Sequence, residues 1–250
     1  MSVTGNRPLI EVRALEKSYG PKHVLRGVNL DVREGETIVV LGGSGEGKSV
    51  LLRHLNGLER PDGGDVIVAG QSLGELTEDG MASVRKQIGM VFQGGALFDS
   101  LTVFDNISYP LREHHMGDEA FIAHRVTELL SMVGLERVER LYPAELSGGM
   151  KKRVALARAM ALSPKAVLWD EPTTGLDPIV TRKINLMIRG LQKQLGFTSV
   201  VVTHDLRSAF MVGDRFALLD QGRIRFIGTA AEVRATRDEL MHEFVEAALQ

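Results

Sequence analysis

The 250-residue chain contains no cysteine, one tryptophan and three tyrosines. A disulfide scaffold is therefore excluded, and a reducing compartment is compatible. Long apolar runs are missing too. Ile38 to Gly43 and Ser199 to Val202 are among the longest, whereas a spanning helix needs about 20 apolar residues. Any membrane role must come through a partner. Met1 to Pro8 hold one arginine and lack the apolar centre of a secretory signal, which predicts a chain that stays inside the cell. No charge sign dominates. Thirty basic residues against 32 acidic ones give a net charge of −2, so holding nucleic acid by bulk charge is a poor reading and no nucleic-acid partner is expected. The 44% hydrophobic and 25% charged fractions exclude intrinsic disorder and a collagen-like fibre. Glycine is in surplus, at 27 residues, or about 11% where about 7% is usual.

Short β-rich runs (Leu9 to Val12, Val24 to Val32, Thr37 to Leu41) separated by turn signals predict a strand-rich opening. From Gly47 the period changes: Val50, Leu51, Leu55 and Leu58 recur at helical spacing up to the Pro61-Asp62-Gly63-Gly64 turn. Asp65 to Val68 and Ile88 to Gln93 read as strands, and 102–163 as a mainly helical insertion with Phe121 to Val133 and Gly148 to Leu162 its clearest segments. Beyond it, strands at Ala166 to Asp170, Ser199 to Thr203 and Phe216 to Leu219 alternate with helices at Ile179 to Leu195 and Leu206 to Met211. That alternation implies an α/β fold with a parallel sheet covered by helices. Thr229 and Glu232 form a capping pair that opens a last helix, over 230–248. This helix either packs on its own domain or docks a regulator or partner subunit. No motif recurs, so one catalytic unit is expected.

Gly42-Gly43-Ser44-Gly45-Glu46-Gly47-Lys48-Ser49 fits the phosphate-loop pattern G-x-x-x-x-G-K-[ST], between an apolar strand and a leucine-rich helix. Backbone N–H groups converge there on an oxyanion and the helix N-terminus adds about half a positive charge. Lys48 is placed to reach the β and γ phosphates of a nucleotide, and Ser49 to hold Mg²⁺. Glu46 must point away, because a carboxylate about 4 Å from a phosphate charge costs about 4 kcal/mol at an effective dielectric of 20. The apolar strand Ala166 to Trp169 ends in Asp170-Glu171. Asp170 is the Mg²⁺ candidate, direct or through water, and Glu171 the candidate to polarise the attacking water.

Leu146-Ser147-Gly148-Gly149-Met150, followed by the basic turn Lys151-Lys152-Arg153, resembles the signature of ATP-binding-cassette (ABC) ATPases. Ser147 suits an N-cap, and Gly148 and Gly149 bare backbone N–H groups toward an anion. A well-capped helix with a basic first turn is the other reading. The resemblance implies the cassette fold of the phosphate-loop NTPases, with a RecA-like parallel-sheet core, an antiparallel β subdomain and a helical insertion. The divisions expected are a single domain over about 8–245, with a core of about 8–93 and 164–228, a helical part of about 94–163 and a C-terminal helix of about 229–248. It further implies hydrolysis of ATP with Mg²⁺, a head-to-tail homodimer with ATP at the interface, and a membrane-embedded permease as partner, with the chain at the cytoplasmic membrane face. Tyr19 matches the residue that stacks on adenine, a core tyrosine being its alternative. Gln93 matches the glutamine that contacts Mg²⁺ and water, Asp177 the loop crossing the dimer interface, and His204 the γ-phosphate histidine. His114-His115 has no metal-site company and reads as solvated surface.

Residues 93–113, from Gln93-Gly94-Gly95-Ala96 to Arg112-Glu113, resemble the cassettes of Mla/Mce-type lipid transporters. Phospholipid or other apolar cargo, and an Mce-domain lipid-binding partner, are what this resemblance implies. An importer of amino acids or another polar solute, and a soluble cassette of translation or DNA repair, are the alternatives. The Ala96 to Phe104 segment lines a groove for a permease helix or serves as local core. Nine of the 27 glycines, at 42, 43, 45, 47, 94, 95, 148, 149 and 175, fall in these nucleotide or coupling loops.

Overall fold

The computed structural model describes residues 8–242 and residue 246. Two sheets organise them. β1 (Pro8–Tyr19), β2 (Lys22–Arg33), β4 (Gly63–Val68) and β5 (Gln71–Ser72) form an antiparallel sheet of order β2-β1-β4-β5. The second sheet contains β3 (Thr37–Leu41), β6 (Ile88–Val91), β7 (Ala166–Asp170), β8 (Thr198–Thr203), β9 (Arg215–Asp220) and β10 (Arg223–Thr229), in the order β10-β9-β3-β8-β7-β6. Its pairings are parallel except β10 on β9.

Every residue of β3, β7 and β8 is buried, as expected of parallel strands covered on both faces. Register then positions the chemistry. Leu41 pairs with Thr203 and Asp170 with Val202, so the carboxyl ends of β3, β7 and β8 lie side by side. Whatever follows those strands shares the crevice where open α/β sheets bind ligands.

The helices are α1 (Lys48–Leu55), α2 (Glu78–Gln87), α3 (Val103–Glu113), α4 (Glu119–Met132), α5 (Gly148–Ala159), α6 (Pro178–Leu195), α7 (Leu206–Val212) and α8 (Ala230–Ala235). α3, α4 and α5 pack on one another through buried Ile107, Leu111, Ile122, Val126, Leu129 and Val154, each worth about 1.5–3 kcal/mol when fully buried. No helix among the described residues is long and apolar enough to cross a membrane.

The structure departs from the sequence expectations at identifiable points. β1 runs through a bulge, where Ala14 adopts φ 46° and its N–H donates to Asn29 Oδ1 at 2.9 Å. α5 ends at Ala159 rather than Leu162. The helix expected over 230–248 is interrupted, because α8 stops at Ala235 and Thr236 turns extended at ψ 146°. Helical backbone resumes at 239–242. The cause is a second cap: Asp238 accepts from the Met241 N–H at 3.0 Å while it pairs with Arg225 at 2.7 Å. Residues 243–245 and 247–248 of that expected helix lie outside the described residues.

Candidate functional site

The loop after β3 explains its own glycines by contact. A Cβ on Gly42 would stand 2.5 Å from the Leu219 carbonyl oxygen of β9, so that approach requires glycine. Gly47 precedes α1 at φ 99°, in the left-handed region. Lys48 then folds back over the loop and donates from Nζ to the Gly42 and Gly43 carbonyls, each at 2.8 Å. Its burial holds the ammonium pKa down, against the opposing pull of Glu171, Asp170 and Glu46. Glu46 does point out of the crevice: Oε2 accepts from the Gln221 N–H at 2.6 Å, in the β9–β10 turn.

At the end of β7, Asp170 Oδ1 accepts from Ser49 Oγ at 2.8 Å. Burial pushes the Asp170 carboxyl up, only partly opposed by that hydrogen bond. Glu171 leaves the strand at φ 47°, a left-handed conformation costing about 1–3 kcal/mol in a non-glycine residue. Its N–H donates to the Val202 carbonyl at 3.0 Å. Its carboxylate is held from several sides: Thr174 Oγ1 at 3.0 Å, Thr203 Oγ1 at 3.3 Å, His204 Nδ1 at 2.9 Å and Lys48 Nζ at 3.8 Å. His204 follows β8, and its side chain stays 60% exposed.

These groups border a cavity of about 860 Å³. Of the sequence-predicted residues, Tyr19, Gly43, Ser44, Gly45, Gly47, Lys48, Ser49, Gln93, Glu171 and His204 line it, while Gly42, Glu46 and Asp170 are not part of its lining. Tyr19 is half-exposed at the rim, with its hydroxyl donating to Glu59 and Lys17 Nζ 5.6 Å from its ring centroid. It is not a core tyrosine. Lys22, Val24 and Val50 also line the cavity, and no sequence motif marks them.

Ser147, Gly148, Gly149 and Asp177 do not border this cavity. Ser147 is the N-cap of α5, accepting from the Met150 N–H at 3.3 Å. Asp177 caps α6, accepting from the Ile179 and Val180 N–H groups at 3.0 Å each. A Cβ on Gly149 would stand 2.8 Å from Val180 Cγ1, so the two caps pack together.

The residues present fit a magnesium nucleotide. A glycine loop and a buried lysine suit phosphates, and the oxygen donors of Ser49, Asp170 and Gln93 suit a hard cation. Among the described residues no group of three or more His, Asp or Glu side chains could hold a metal by itself. His114-His115 belongs to no such group.

A second, smaller groove of about 310 Å³ lies beside Phe92, Phe98, Tyr109 and Leu162, with Arg85, Lys86, His114 and Arg158 around it. The rings of Phe98 and Tyr109 are 5.0 Å apart and both are exposed by almost half. Buried Asn106 holds this segment: Nδ2 donates to the carbonyls of Phe98, Leu101 and Thr102 at 3.0–3.1 Å, and Oδ1 accepts from the Phe98 N–H at 2.8 Å. Part of Ala96 to Phe104 thus lines a groove and part is anchored locally.

A family model described as ABC transporter matches residues 25–174. The chain belongs to the ABC transporter family. Members of this family are ATPases that bind ATP with Mg²⁺. The cassette is 41% identical over 219 residues to the methionine import ATP-binding protein MetN of Mesorhizobium japonicum, covering 88% of this chain and 60% of that protein. It is 42% identical over 245 residues to the sulfate/thiosulfate import ATP-binding protein CysA 2 of Chromobacterium violaceum, covering 98% and 65%. With the probable ribonucleotide transport ATP-binding protein mkl of Mycobacterium leprae the identity is 41% over 230 residues, covering 92% and 66%. The chain therefore spans less than two thirds of these relatives' length. Among solved structures, the dimeric post-hydrolysis state of the ATP-binding cassette MJ0796 bound to ADP and Pi superposes with a TM-score of 0.81 at 34% identity, covering 88% of this chain and 98% of that one. The structure of cbiO1 from Clostridium perfringens, part of the ABC transporter complex cbiONQ, gives 0.83 at 31% identity, covering 94% of each chain.

Proposed function

We propose that this cassette is the ATP-hydrolysing subunit of a bacterial ABC transporter, working as a head-to-tail homodimer on the cytoplasmic face of the cell membrane with integral-membrane permease subunits. The observation that carries the reading is the convergence of Lys48, Ser49, Asp170, Glu171 and His204 at the adjoining ends of β3, β7 and β8. Tyr19 offers its ring to adenine at the rim. The amides of Gly43 to Ser49 and the Lys48 ammonium bind the phosphates, Lys48 releasing the Gly42 and Gly43 carbonyls to do so. Ser49, Asp170 and Gln93 hold Mg²⁺, which when bound neutralises charge on the phosphate oxygens. Glu171 accepts a proton from the attacking water, and His204 and the two threonines fix its carboxylate in place. Ser147, Gly148, Gly149 and Asp177 lie off this cavity, which supports their acting on a partner cassette's nucleotide. The groove at Phe98 and Tyr109 offers apolar surface and positive charge to a permease helix.

For cargo, we favour lipid, on the resemblance of residues 93–113 to Mla/Mce-type cassettes. The methionine and sulfate import relatives support a second reading, import of a polar solute. Purification from native membranes in detergent tests both. A multi-spanning permease with an Mce-domain protein supports lipid transport, and a permease with a solute-binding protein supports import. Recovery with ribosomes or DNA and no membrane protein would overturn the transporter reading.

A further inference from the structure

Lys152 was legible only as one of three basic residues in the first turn of α5. The structure buries it to 8% exposure. Its Nζ donates to the Gln93 carbonyl and lies 3.5 Å from the Glu171 carbonyl. An ammonium at this depth carries a desolvation cost that isolated surface lysines avoid, and burial accordingly lowers its pKa, against the pull of Asp170 and Glu171. Two turns further along α5, Arg158 donates to the Gly95 carbonyl at 2.9 Å and stacks 5.8 Å from the Phe98 ring. One rigid helix thus holds the chain after β6 at two carbonyls, Gln93 and Gly95. Through Lys152 the same helix reaches the backbone of Glu171, where the strained φ leaves the carboxylate direction dependent on its neighbours.

We propose that Lys152 is a positioning residue for hydrolysis: its ammonium, shared between the Gln93 and Glu171 carbonyls, locks the segment after β6 to the segment after β7, so that Gln93 and Glu171 move with α5 as one unit. This rests on the ATPase reading of the site. The contacts that hold the Glu171 carboxylate come from Thr174, Thr203, His204 and Lys48 and not from Lys152, so the effect of Lys152 passes through backbone placement. A surface charge on α5 would leave both loops indifferent to its removal.

The test compares wild type with Lys152→Met, which keeps the length of the side chain and removes the donors, and with Lys152→Arg, which keeps a bridging cation. Three quantities are read: kcat with Mg²⁺ and ATP, the affinity for a fluorescent mant-ATP, and hydrogen exchange of the nucleotide-free protein. In Lys152→Met the expected result is a kcat at least about ten-fold lower, equal to about 1.4 kcal/mol, with mant-ATP affinity within about two-fold. Exchange is expected to rise in peptides spanning 92–96 and 170–174 while 154–159 stays protected, and Lys152→Arg is expected to recover most of kcat. If Lys152→Met does not fold, Lys152→Leu, which likewise lacks a donor, carries the same three measurements. Wild-type kcat in the neutral variant, or exchange rising uniformly along α5, would overturn the proposal. A wild type without turnover would sink the ATPase reading, and the exchange measurement would still decide whether Lys152 ties the two segments.

Discussion

Glu171 Oε1 and His204 Nδ1 meet at 2.9 Å. A carboxylate oxygen only accepts, so the ring proton in this contact is assigned to Nδ1. Histidine and glutamate come from the ends of different strands, β8 and β7, so their meeting is a product of the parallel register. His204→Ala removes one of the groups orienting Glu171 while Thr174, Thr203 and Lys48 remain. A fall in kcat of about 10²-fold is expected, with ATP affinity nearly unchanged, measured by phosphate release and by equilibrium binding.

Glu46 is occupied by the Gln221 N–H at 2.6 Å and faces away from the phosphate loop. Its charge therefore costs nucleotide binding little. Glu46→Ala should change ATP affinity by less than about three-fold, under about 0.7 kcal/mol, as read by titration calorimetry.

Asn106 satisfies four backbone groups of the 98–102 turn from a fully buried position. Asn106→Ala would orphan several of them at once. A loss of about 2–4 kcal/mol of stability is expected, measured by urea denaturation. Recovery of the proposed permease partner should fall with it, because the same turn carries Phe98 into the groove.

Asp214 sets an acid limit. Burial would raise its carboxyl, but Arg189, at 2.5 and 3.0 Å, and the Thr37 N–H at 2.8 Å overcome this and hold it below the ordinary carboxylate range. The folded state thus binds that proton less readily than the unfolded state. Its contribution is complete above the unfolded pKa of about 3.9 and is lost as pH falls through the lower folded value. Asp214→Asn should melt below wild type at pH about 7, and the gap between them should narrow once pH drops below about 4, followed by circular dichroism.

The strands and loops that carry chemistry were legible because their physics is local: an apolar strand, a bare glycine turn and a leucine-rich helix occupy consecutive residues from Ile38 to Leu55. Elements whose residues depend on distant partners were harder to read. α2 buries only Met81 and Val84, too little for a helical period to stand out. β10 alternates exposed and half-buried residues at a sheet edge. The break at Thr236 follows from Asp238 meeting Arg225, a pairing across the chain. Lys152 reads as surface charge until α5 is packed against the segment after β6.

The most direct measurement is ATP turnover of Glu171→Gln beside wild type, with the mass of each protein determined by light scattering with and without ATP. The variant is expected to bind ATP, to hydrolyse it at least about 10²-fold more slowly, and to accumulate as a dimer with twice the mass of its nucleotide-free form. Turnover at the wild-type rate in that variant would contradict the role of Glu171.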